Sequence, residues 1–231
     1  MGNRRFTLEQ IRRKLRATGS NLVFLQEVIG ENERHRQTID GWPDTNQLEY
    51  LADTVWSHYA YGKNAIYQHG HHGNAILSEL PFSKSNNVDV STLSFSQRGI
   101  LHGMLEQNIH LLCIHLGLFE QERKEQVKRL IDYINNTISD DAPLILAGDF
   151  NDWRKTAHYQ IKKECQLIEV CETHQNRVAT TYPAFMPMLP MDRIYVRGFD
   201  VNSISVMSHS SWRQLSDHCA VIAELSLKGP A

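Results

Sequence analysis

The sequence has few cysteines, no long apolar run and no excess of charge of either sign. Its four cysteines, Cys113, Cys165, Cys171 and Cys219, show no paired spacing, which argues against a zinc ribbon or a disulfide scaffold and suits a reducing compartment. No apolar run approaches the roughly 20 residues needed to span a bilayer. The 24 Lys and Arg against 26 Asp and Glu give a net charge of −2, which excludes a strongly basic nucleic-acid scaffold and an acidic disordered tail.

The composition and the length are those of a folded, enzyme-sized domain. Hydrophobic residues make up 41% and charged residues 22% of 231 positions, a mix typical of globular proteins rather than disordered ones. This length favours one large domain, so we expect residues 1–231 to form a single domain. No signal peptide opens the chain. We therefore expect a cytoplasmic, monomeric protein without a transmembrane segment.

Apolar periodicity along the chain predicts a mixture of helices and buried strands. Leu8, Ile11 and Leu15 predict a first helix with Thr7 as its N-cap. Further helices are predicted over residues 42–56 and 118–138. Short apolar runs predict strands at 22–25, 75–78, 100–106, 109–115, 143–147, 194–196 and 220–227. This mixture predicts an α/β sandwich with two mixed β-sheets inside and helices outside.

Polar residues with catalytic chemistry stand at the ends of the predicted strands. They are Glu27, His115, Asp149, Asn151, Asp192, Asp217 and His218. One polar residue at a strand end is routine, but the repetition is informative because strand ends present side chains to a cleft. Carboxylates, histidines and an amide are the ligands and proton carriers of metal-assisted phosphate chemistry.

Six short segments give this pattern a family resemblance. They are LQEV at 25–28, GNAILS at 73–78, IHL at 114–116, AGDFN at 147–151, MDRI at 191–194 and LSDH at 215–218. In this order they resemble the motifs of the endonuclease/exonuclease/phosphatase superfamily, over the chain from Arg4 to Leu225. The resemblance implies the DNase I-like fold, a four-layer α/β sandwich with two mixed β-sheets flanked by helices. It also implies a divalent-metal-dependent hydrolase of phosphate esters, in which water attacks in line at phosphorus.

The resemblance assigns roles to the carboxylates and the amide residue by residue. Glu27 would be a ligand of Mg²⁺ or Mn²⁺, and Asp217 would complete the metal site or support it, since a hard cation prefers oxygen ligands. Asp149 would orient or deprotonate the attacking water, or protonate the leaving oxygen. Asn151 would bind a phosphoryl oxygen or hold Asp149 in place.

Two histidines would contact the phosphate according to the same resemblance. His218 would act as a base or charge stabiliser while Asp192 holds its ring, because a carboxylate beside an imidazole fixes the tautomer and favours the charged form. His115 would stabilise the equatorial oxygens of the transition state.

Three further residues are candidates for substrate binding. His72 belongs to a cluster with His69 and His71, where no Cys or carboxylate partner has the spacing of a zinc site. A loop at the cleft mouth is the first interpretation of this cluster, and contact with a substrate phosphate is the second. Asn74 either orients a phosphate or shapes the loop. Arg98 either meets a substrate phosphate or lies at the surface.

The identity of the phosphate-ester substrate stays open between a small molecule, a phospholipid headgroup and a nucleic acid. The net charge of −2 and the isoelectric point of 6.6 disfavour a DNA or RNA endonuclease, which remains the alternative. The apolar stretch at 185–190 contains two prolines. It suits a lipid-like substrate if it is exposed, and it is otherwise a buried lid.

One departure from the family pattern concerns the first strand. Family members usually open with a strand ending in an Asn that helps to hold the metal, whereas here a helix is predicted within a few residues of Met1. Such a strand would be central in a sheet, so its loss would leave backbone groups of its neighbours unpaired. Either Met1 is an internal methionine of a longer chain, or the protein is a shortened member. In the second case the metal site is weakened and a binding module becomes an alternative to an enzyme.

Overall fold

The computed structural model describes residues 8–32, 46–52, 55–67 and 70–229. The helices in this part are α1 (Leu8–Ala17), α2 (Gln47–Ala52), α3 (Glu120–Thr137), α4 (Thr156–Cys165), α5 (Val170–Gln175) and α6 (Ser210–Arg213). The strands are β1 (Leu22–Asn32), β2 (His58–Tyr67), β3 (Gly70–Ser78), β4 (Phe82–Asp89), β5 (Gly99–Leu105), β6 (His110–His115), β7 (Leu144–Asp149), β8 (Ile168–Glu169), β9 (Asp192–Arg197), β10 (Phe199–Val206) and β11 (Val221–Leu227). None of these helices is long and apolar enough to cross a membrane.

A six-stranded mixed sheet forms the centre of the fold. Its order is β4-β5-β6-β7-β9-β8, with β6 parallel to β7 and every other neighbouring pair antiparallel. Helices α3 and α4 cover one face of this sheet. Val127, Leu130 and Ile134 form the apolar stripe of α3 and share one buried core with Ile114 and Leu146 of the sheet. The helical spacing of that stripe explains why the long helix was predictable.

Two smaller sheets face the opposite side of the six-stranded sheet. One has the order β1-β3-β2, the other pairs β10 with β11, and both are antiparallel. A second core between the layers includes Ile76, Leu101, Leu111 and Phe199, and α1 and α2 cover the outer face of the three-stranded sheet. The predicted α/β fold with sheets flanked by helices is confirmed. In the described part of the chain, however, the second layer is divided into two antiparallel pieces.

Strand β1 is longer than predicted, and the difference begins at Glu27, a predicted site residue. The sequence predicted that the strand ends at Gln26 and Glu27, but the strand continues to Asn32. The ladder to β3 shifts between Leu25 and Val28, so two residues of β1 stand opposite Asn74. This is a β-bulge, a feature that re-aims side chains and is frequent beside active sites.

The other elements agree with the sequence where apolar patterns are strong. Helices α1 and α3 are confirmed, while Thr7 lies outside the described residues. Of the helix predicted over 42–56, residues 42–45 and 53–54 also lie outside them, and α2 is the helical part that the structure describes. Strands β2, β4, β8 and β10 and helices α4, α5 and α6 had not been predicted. Strand β4, for example, is largely exposed and reads FSKSNNVD, which has no alternation of apolar and polar residues.

A buried histidine pair in the six-stranded sheet gives the stability of the fold a pH dependence. The Nδ1 atom of His102 lies 2.8 Å from Tyr133 Oη, and its Nε2 atom lies 2.9 Å from His110 Nδ1. Burial, followed by the charge of His110, lowers the pKa of His102 from 6.5 to about 4. The unfolded chain therefore binds more protons between these two values, and the free energy of unfolding falls as the pH falls through this window.

We expect His102 to account for a loss of about 2 kcal/mol in the free energy of unfolding between about pH 7 and about pH 5. Urea unfolding of the wild type and of His102→Gln at both pH values measures this. The variant should lose less stability than the wild type on acidification, by about that amount. Parallel pH dependences in the two proteins would contradict the assignment.

Candidate active site

Strand register brings three predicted site residues side by side. In the six-stranded sheet, His115 at the end of β6 stands opposite Asp149 at the end of β7, and Asp149 stands opposite Asp192 at the start of β9. The distance from His115 Nε2 to Asp149 Oδ2 is 3.4 Å. Residues that are far apart in sequence therefore share one edge of the sheet because β6, β7 and β9 are neighbours.

His218 reaches the same edge from the loop that precedes β11. Its Nδ1 atom lies 2.7 Å from Asp192 Oδ2, and the ring of Tyr182 packs on the His218 ring with 4.9 Å between centroids. One ligand atom from each of Asp149, Asp192 and His218 lies within 4.8 Å of the other two. The structure thus brings together two carboxylates and an imidazole that had been predicted as site residues.

A tight turn after β7 fixes the carboxylate of Asp149. The backbone N–H of Asn151 donates to Asp149 Oδ1 at 2.9 Å, and Asn151 Nδ2 donates to the carbonyl oxygen of Leu116 at 2.9 Å. Asn151 has a left-handed φ of 49°, which Asn tolerates better than most residues. A Cβ atom on Gly148 would lie 2.0 Å from the Ile114 carbonyl oxygen, so β7 needs glycine there. Of the two roles predicted for Asn151, these contacts favour holding Asp149 over binding a phosphoryl oxygen.

Burial and neighbouring charges shift the protonation of the site residues in opposite directions. Burial, and then the charge of Asp192, raises the pKa of Asp149 to about 7. Burial, and then the positive charge of Arg98, lowers the pKa of His115 to about 3. Burial alone would lower the pKa of His218, but its hydrogen bond to Asp192 and the nearby negative charges outweigh this effect and raise that pKa to about 9. At neutral pH His115 is therefore neutral and His218 is charged, and both lie beside the carboxylates. Perturbed pKa values of this kind are common in catalytic sites.

Glu27 approaches this cluster from the other layer of the fold. It occupies the bulge of β1, is exposed and has a left-handed φ of 57°. Its charge acts on both Asp149 and His72. Non-glycine residues with positive φ are uncommon and tend to cluster at functional sites. The structure thus places the predicted metal ligand across the cleft from the six-stranded sheet.

Asp217 is exposed and lies beside the cluster rather than in it. Its charge contributes to the raised pKa of His218. Among the residues that the structure describes, the potential ligand atoms gathered within 4.8 Å belong to Asp149, Asp192 and His218. The two predicted metal ligands, Glu27 and Asp217, therefore flank this group.

His72 and Arg98 lie on the same side of the site as Glu27. His72 is half-buried; burial lowers its pKa, and the charges of Glu27 and Arg98 act on it. The Nε atom of Arg98 is buried and has no hydrogen-bond partner among the described residues, and the charge of Arg98 acts on His115. A guanidinium group in this position is suited to bind an anion. His69, from the same histidine cluster, lies outside the described residues.

Asn74 joins the two layers of the fold. It is buried, and its Nδ2 atom donates to the carbonyl oxygens of Gly99 at 3.0 Å and Cys113 at 3.2 Å. These bonds tie β3 to the six-stranded sheet and use both hydrogens of the amide group. They favour the interpretation that Asn74 shapes the site over direct contact with a phosphate.

Exposed apolar side chains stand on one side of this site. Phe95, Leu118, Phe119 and Trp153 project from loops next to β5, β6 and β7, and Phe95 is 75% exposed. The rings of Phe95 and Phe119 meet edge to face with 6.3 Å between centroids. Single exposed apolar residues are ordinary, but several on neighbouring loops beside a cleft indicate a contact surface.

A second apolar group stands on the other side, next to His218. Phe185, Met186 and Met188 are 68%, 53% and 57% exposed, in a turn closed by the bridge between Tyr182 and Leu189. Their exposure supports an exposed loop over a buried lid for this stretch. We call the two groups together the apolar rim, which consists of Phe95, Leu118, Phe119, Trp153, Phe185, Met186 and Met188.

A buried ion pair beneath the site had not been predicted. Arg193 Nη1 lies 3.0 Å from Asp152 Oδ2, and both side chains are buried. Asp152 also accepts the N–H groups of Thr156 and His158 at the start of α4. The pair ties the loop after β7 to β9, so it connects the two strands that carry the site carboxylates. The available signal was an arginine directly before the apolar run Ile194-Tyr195-Val196, because an arginine that is buried with such a run needs a buried partner.

Replacing Arg193 with methionine should lower the free energy of unfolding by about 3–5 kcal/mol, because Asp152 is left buried without its partner. Urea unfolding measures the loss. The double variant Arg193→Met/Asp152→Asn should recover part of it, since the unpaired charge is gone. Arg154→Met, at an exposed ion pair with Glu120, is the matched control and should cost about 1 kcal/mol or less. Equal losses for Arg193→Met and Arg154→Met would contradict this account.

Comparison with known proteins supports the fold described above. Residues 2–218 match the model of the Endonuclease/Exonuclease/phosphatase family. The uncharacterized protein YbhP of Escherichia coli (strain K12) is 41% identical over 230 residues, covering 97% of this chain and 90% of YbhP.

Two solved structures show the same fold. The mannosyl-6-phosphatase Bt3783 of Bacteroides thetaiotaomicron VPI-5482 superposes with a TM-score of 0.70 at 17% identity, over 95% of this chain and 90% of that one. TDP2 of D. rerio, complexed with a single-strand DNA product, superposes with a TM-score of 0.66 at 18% identity, over 97% of this chain and 95% of that one. At such identities the likeness concerns the fold alone.

Proposed function

Because the chain belongs to the endonuclease/exonuclease/phosphatase family, we propose that it is a divalent-metal-dependent hydrolase of phosphate esters. The family comprises phosphoester hydrolases, so hydrolysis at phosphorus is the reaction class. The observation that carries the proposal is the convergence of Asp149, Asp192 and His218 within 4.8 Å, beside His115.

The donor atoms at the site fit Mg²⁺ or Mn²⁺. The carboxylate of Asp149, with Glu27 across the cleft and Asp217 beside the cluster, offers the hard oxygen ligands that these cations prefer. The Nδ1 atom of His218 is already bonded to Asp192, so we assign the ion to the carboxylates and leave His218 for the substrate. A cation bound there supplies Lewis-acid charge to a phosphoryl oxygen and acidifies a water molecule.

The side chains of the site supply positioning, proton transfer and charge. Asp149, held by Asn151, orients the attacking water and takes its proton as the new P–O bond forms and the ester P–O bond breaks. The His218 ring, held by Asp192 at 2.7 Å, neutralises negative charge on the phosphoryl group. His115 faces the equatorial oxygens from the neighbouring strand. Such preorganised charge is commonly the largest contribution to catalysis.

For the substrate we favour a phosphate ester with an apolar part, and a phospholipid headgroup ester in particular. The apolar rim combines four aromatic side chains, which could also stack on bases, with Leu118, Met186 and Met188, which offer apolar contact but no ring for stacking. Exposed aromatic and aliphatic side chains are suited to a lipid interface. The net charge of −2 lacks the positive excess typical of nucleic-acid binding. DNA or RNA cleavage remains the alternative, since TDP2 has the same fold and is seen with DNA.

Parallel turnover assays with Mg²⁺ or Mn²⁺ test this proposal. The substrates are phospholipid vesicles, a soluble bis-aryl phosphodiester, plasmid DNA and DNA with abasic sites. We expect hydrolysis of the vesicle lipid and of the soluble diester, and little cleavage of either DNA. Faster cleavage of DNA than of lipid would establish the endonuclease alternative, and hydrolysis of none of the four would argue against an enzyme.

Variants of the apolar rim should change turnover on vesicles without changing turnover of a soluble substrate. The double variant Phe185→Ser/Met186→Ser should hydrolyse vesicle lipid about tenfold more slowly, because two exposed apolar groups no longer enter the interface. Its turnover of the soluble diester should change by less than about twofold, since neither residue lies among the catalytic groups. The control is Leu227→Ser, an exposed apolar residue at the far end of β11, which should behave like the wild type. Equal vesicle rates for all three proteins would refute a lipid-facing rim.

A catalytically weakened binding module is the second candidate, and it is favoured by the edge of β1 that pairs with no other strand in the described part of the chain. Calorimetric titration of residues 1–231 with Mn²⁺ separates the two: millimolar or undetectable binding favours the module, and tighter binding favours the enzyme. For either candidate we propose a single-domain monomer in the cytoplasm, in keeping with the chain length and with four buried cysteines that are all free.

A further inference from the structure

Three buried polar residues of α3 face the loop that joins β6 to α3. They are Glu122, Arg123 and Gln126, which are 3%, 4% and 0% exposed. They lie in the first half of the helix, ahead of the apolar stripe that packs on the sheet. Burying polar side chains is unfavourable unless hydrogen bonds replace their contacts with water. The partners of these three side chains therefore indicate why polar residues stand where apolar ones would add to the core.

Their hydrogen bonds converge on residues 116–119, which we call the β6–α3 loop. Gln126 Oε1 accepts the N–H of Gly117 at 2.8 Å. Arg123 Nη1 donates to the carbonyl oxygens of Gly117 at 3.1 Å and Leu118 at 2.6 Å. Two side chains of α3 thus hold three backbone groups of this loop.

Glu122 fixes both the amide group of Gln126 and the position of the loop above it. Its Oε1 atom accepts from Gln126 Nε2 at 3.1 Å, which leaves the amide oxygen directed at the loop. A Cβ atom on Gly117 would lie 2.0 Å from Glu122 Cδ, so the loop can pack directly on this side chain because residue 117 is glycine. The Oε2 atom of Glu122 is buried without a hydrogen-bond partner among the described residues, a cost that indicates a required geometry.

The β6–α3 loop is bonded to the candidate site through Leu116. The N–H of Leu116 donates to the carbonyl oxygen of Asp149 at 2.9 Å, and its carbonyl oxygen accepts Asn151 Nδ2 at 2.9 Å. The N–H of Asn151 in turn holds Asp149 Oδ1. His115 directly precedes Leu116 in the chain. A displacement of this loop would therefore reach the water-orienting carboxylate and the neighbouring histidine together.

Arg123 also contacts the loop that carries Asn151. Its guanidinium group lies over the ring of Trp153, 5.1 Å from the centroid, and its charge interacts with that of Asp152. A cation–π contact of this kind is strongest where the cation is removed from water. Helix α3 thus holds both loops that meet at Asn151, the one after β6 and the one after β7.

We propose that Gln126, supported by Glu122 and Arg123, is a positioning residue for the hydrolysis. It acts on Asp149 through the β6–α3 loop and Asn151. This role rests on the proposed function, since it concerns the same site. A misplacement of about 1 Å can lower a rate by about 10²-fold, so a loosened loop should slow the chemical step. Substrate binding should change little, because all three side chains are buried.

Gln126→Leu tests this role, because it removes the acceptor for the Gly117 N–H at nearly constant volume. We expect kcat for the soluble bis-aryl phosphodiester to fall about tenfold or more, while KM changes by less than about twofold. The exchange variant Glu122→Gln/Gln126→Glu should return kcat to within about threefold of the wild type, because both hydrogen bonds are restored. A carboxylate at position 126 again accepts the Gly117 N–H, and an amide at position 122 donates to that carboxylate.

A mutant cycle with Asn151 separates positioning from a loss of stability. Asn151→Gly removes the amide group that binds Leu116, and glycine tolerates the left-handed φ of 49° at this position. In that background Gln126→Leu should lower kcat by less than about twofold further, because the link to Asp149 is already broken. Ile134→Ala, in the apolar stripe of the same helix, is the matched control. It should lower the midpoint of urea unfolding but keep kcat within about twofold of the wild type.

Amide hydrogen exchange followed by NMR tests the same role without using activity. In Gln126→Leu the N–H of Gly117 and the side-chain amide of Asn151 should exchange about tenfold faster or more. The N–H of Leu101, in the buried strand β5, is the internal control and should change less. If Gln126→Leu does not fold, Gln126→Asn takes its place, because its amide group is one methylene too short for the Gly117 N–H.

Three kinetic results would overturn the proposal. One is a kcat of Gln126→Leu equal to that of the wild type. Another is multiplication of the losses in Gln126→Leu and Asn151→Gly, and the third is an exchange variant as slow as Gln126→Leu. A wild type that hydrolyses none of the phosphate esters would instead refute the proposed function. In that case the hydrogen exchange decides on its own, and unchanged rates at Gly117 and Asn151 would refute the positioning role.

Discussion

Asp149→Asn is expected to lower kcat/KM for a soluble bis-aryl phosphodiester by about 10³-fold or more, because the substitution removes the group that orients and deprotonates the water. Asparagine keeps the shape of the side chain and an oxygen that accepts the N–H of Asn151. The position of Oδ2, which faces His115 at 3.4 Å in the wild type, is then occupied by an uncharged NH₂ group that donates rather than accepts. Asp140→Asn, at a carboxylate that is 78% exposed, is the matched control and should keep wild-type turnover.

The Asp149→Asn variant should lose activity, but its free energy of unfolding should stay the same or rise. Burial raises the pKa of Asp149 to about 7 in the folded protein, above its value of about 4 in an unfolded chain. The folded state therefore binds more protons between these values, so this carboxylate costs stability as the pH rises through the window. The asparagine variant lacks that cost. In urea unfolding at about pH 8 with EDTA, it should be at least as stable as the wild type. A variant that is both inactive and less stable would indicate a structural role for Asp149.

His218→Gln and Asp192→Asn are each expected to lower kcat/KM by about 10²–10³-fold, and the double variant should be little worse than the poorer single variant. The reason is that the 2.7 Å hydrogen bond makes the two residues act as one unit. Independent roles would instead give losses that multiply. Turnover of the same diester by the four proteins of this cycle measures the coupling directly.

The pH profile distinguishes positioning by Asp192 from a merely structural role. The hydrogen bond and charge of Asp192, acting against burial, raise the pKa of His218 to about 9. In Asp192→Asn the basic limb of the pH–rate profile should therefore move to lower pH by about one unit or more. Asp217→Asn, which removes a more exposed charge next to His218, should move the limb less. An unshifted limb in Asp192→Asn would contradict the assignment of that limb to His218.

The positions of the site residues along the chain could be predicted because strands must end in polar groups. His115 directly follows an apolar run, Asp149 follows one after Gly148, and Asp192 lies two residues before the run that begins at Ile194. Their arrangement in space could not be predicted from composition or periodicity, since it depends on the order β6-β7-β9 and on the register that sets His115, Asp149 and Asp192 opposite one another. The family resemblance, which rests on motifs in a fixed order, predicted that these residues share one site. The pairing of the strands in the sheet determines how they are arranged there.

Features that depend on tertiary contacts were missed for identifiable reasons. Glu27 was predicted at a strand end, but the chain instead continues through a bulge, which local sequence does not encode. Arg193 and Asp152 were not paired because a buried ion pair links distant segments. Strand β4 was missed because an exposed outer strand needs no apolar face. The long helix α3, by contrast, was predictable because its apolar stripe lies within one continuous segment of the sequence.

The most direct test of the central claim is the metal dependence of phosphodiester turnover by the protein. The protein is stripped with EDTA, assayed, and assayed again after Mn²⁺ or Mg²⁺ is added back. A metal-dependent centre at Asp149 and Glu27 predicts a loss of about 100-fold or more on stripping and full recovery with the added ion. Turnover that is unaffected by EDTA, or that is the same in the wild type and in Asp149→Asn, would contradict it.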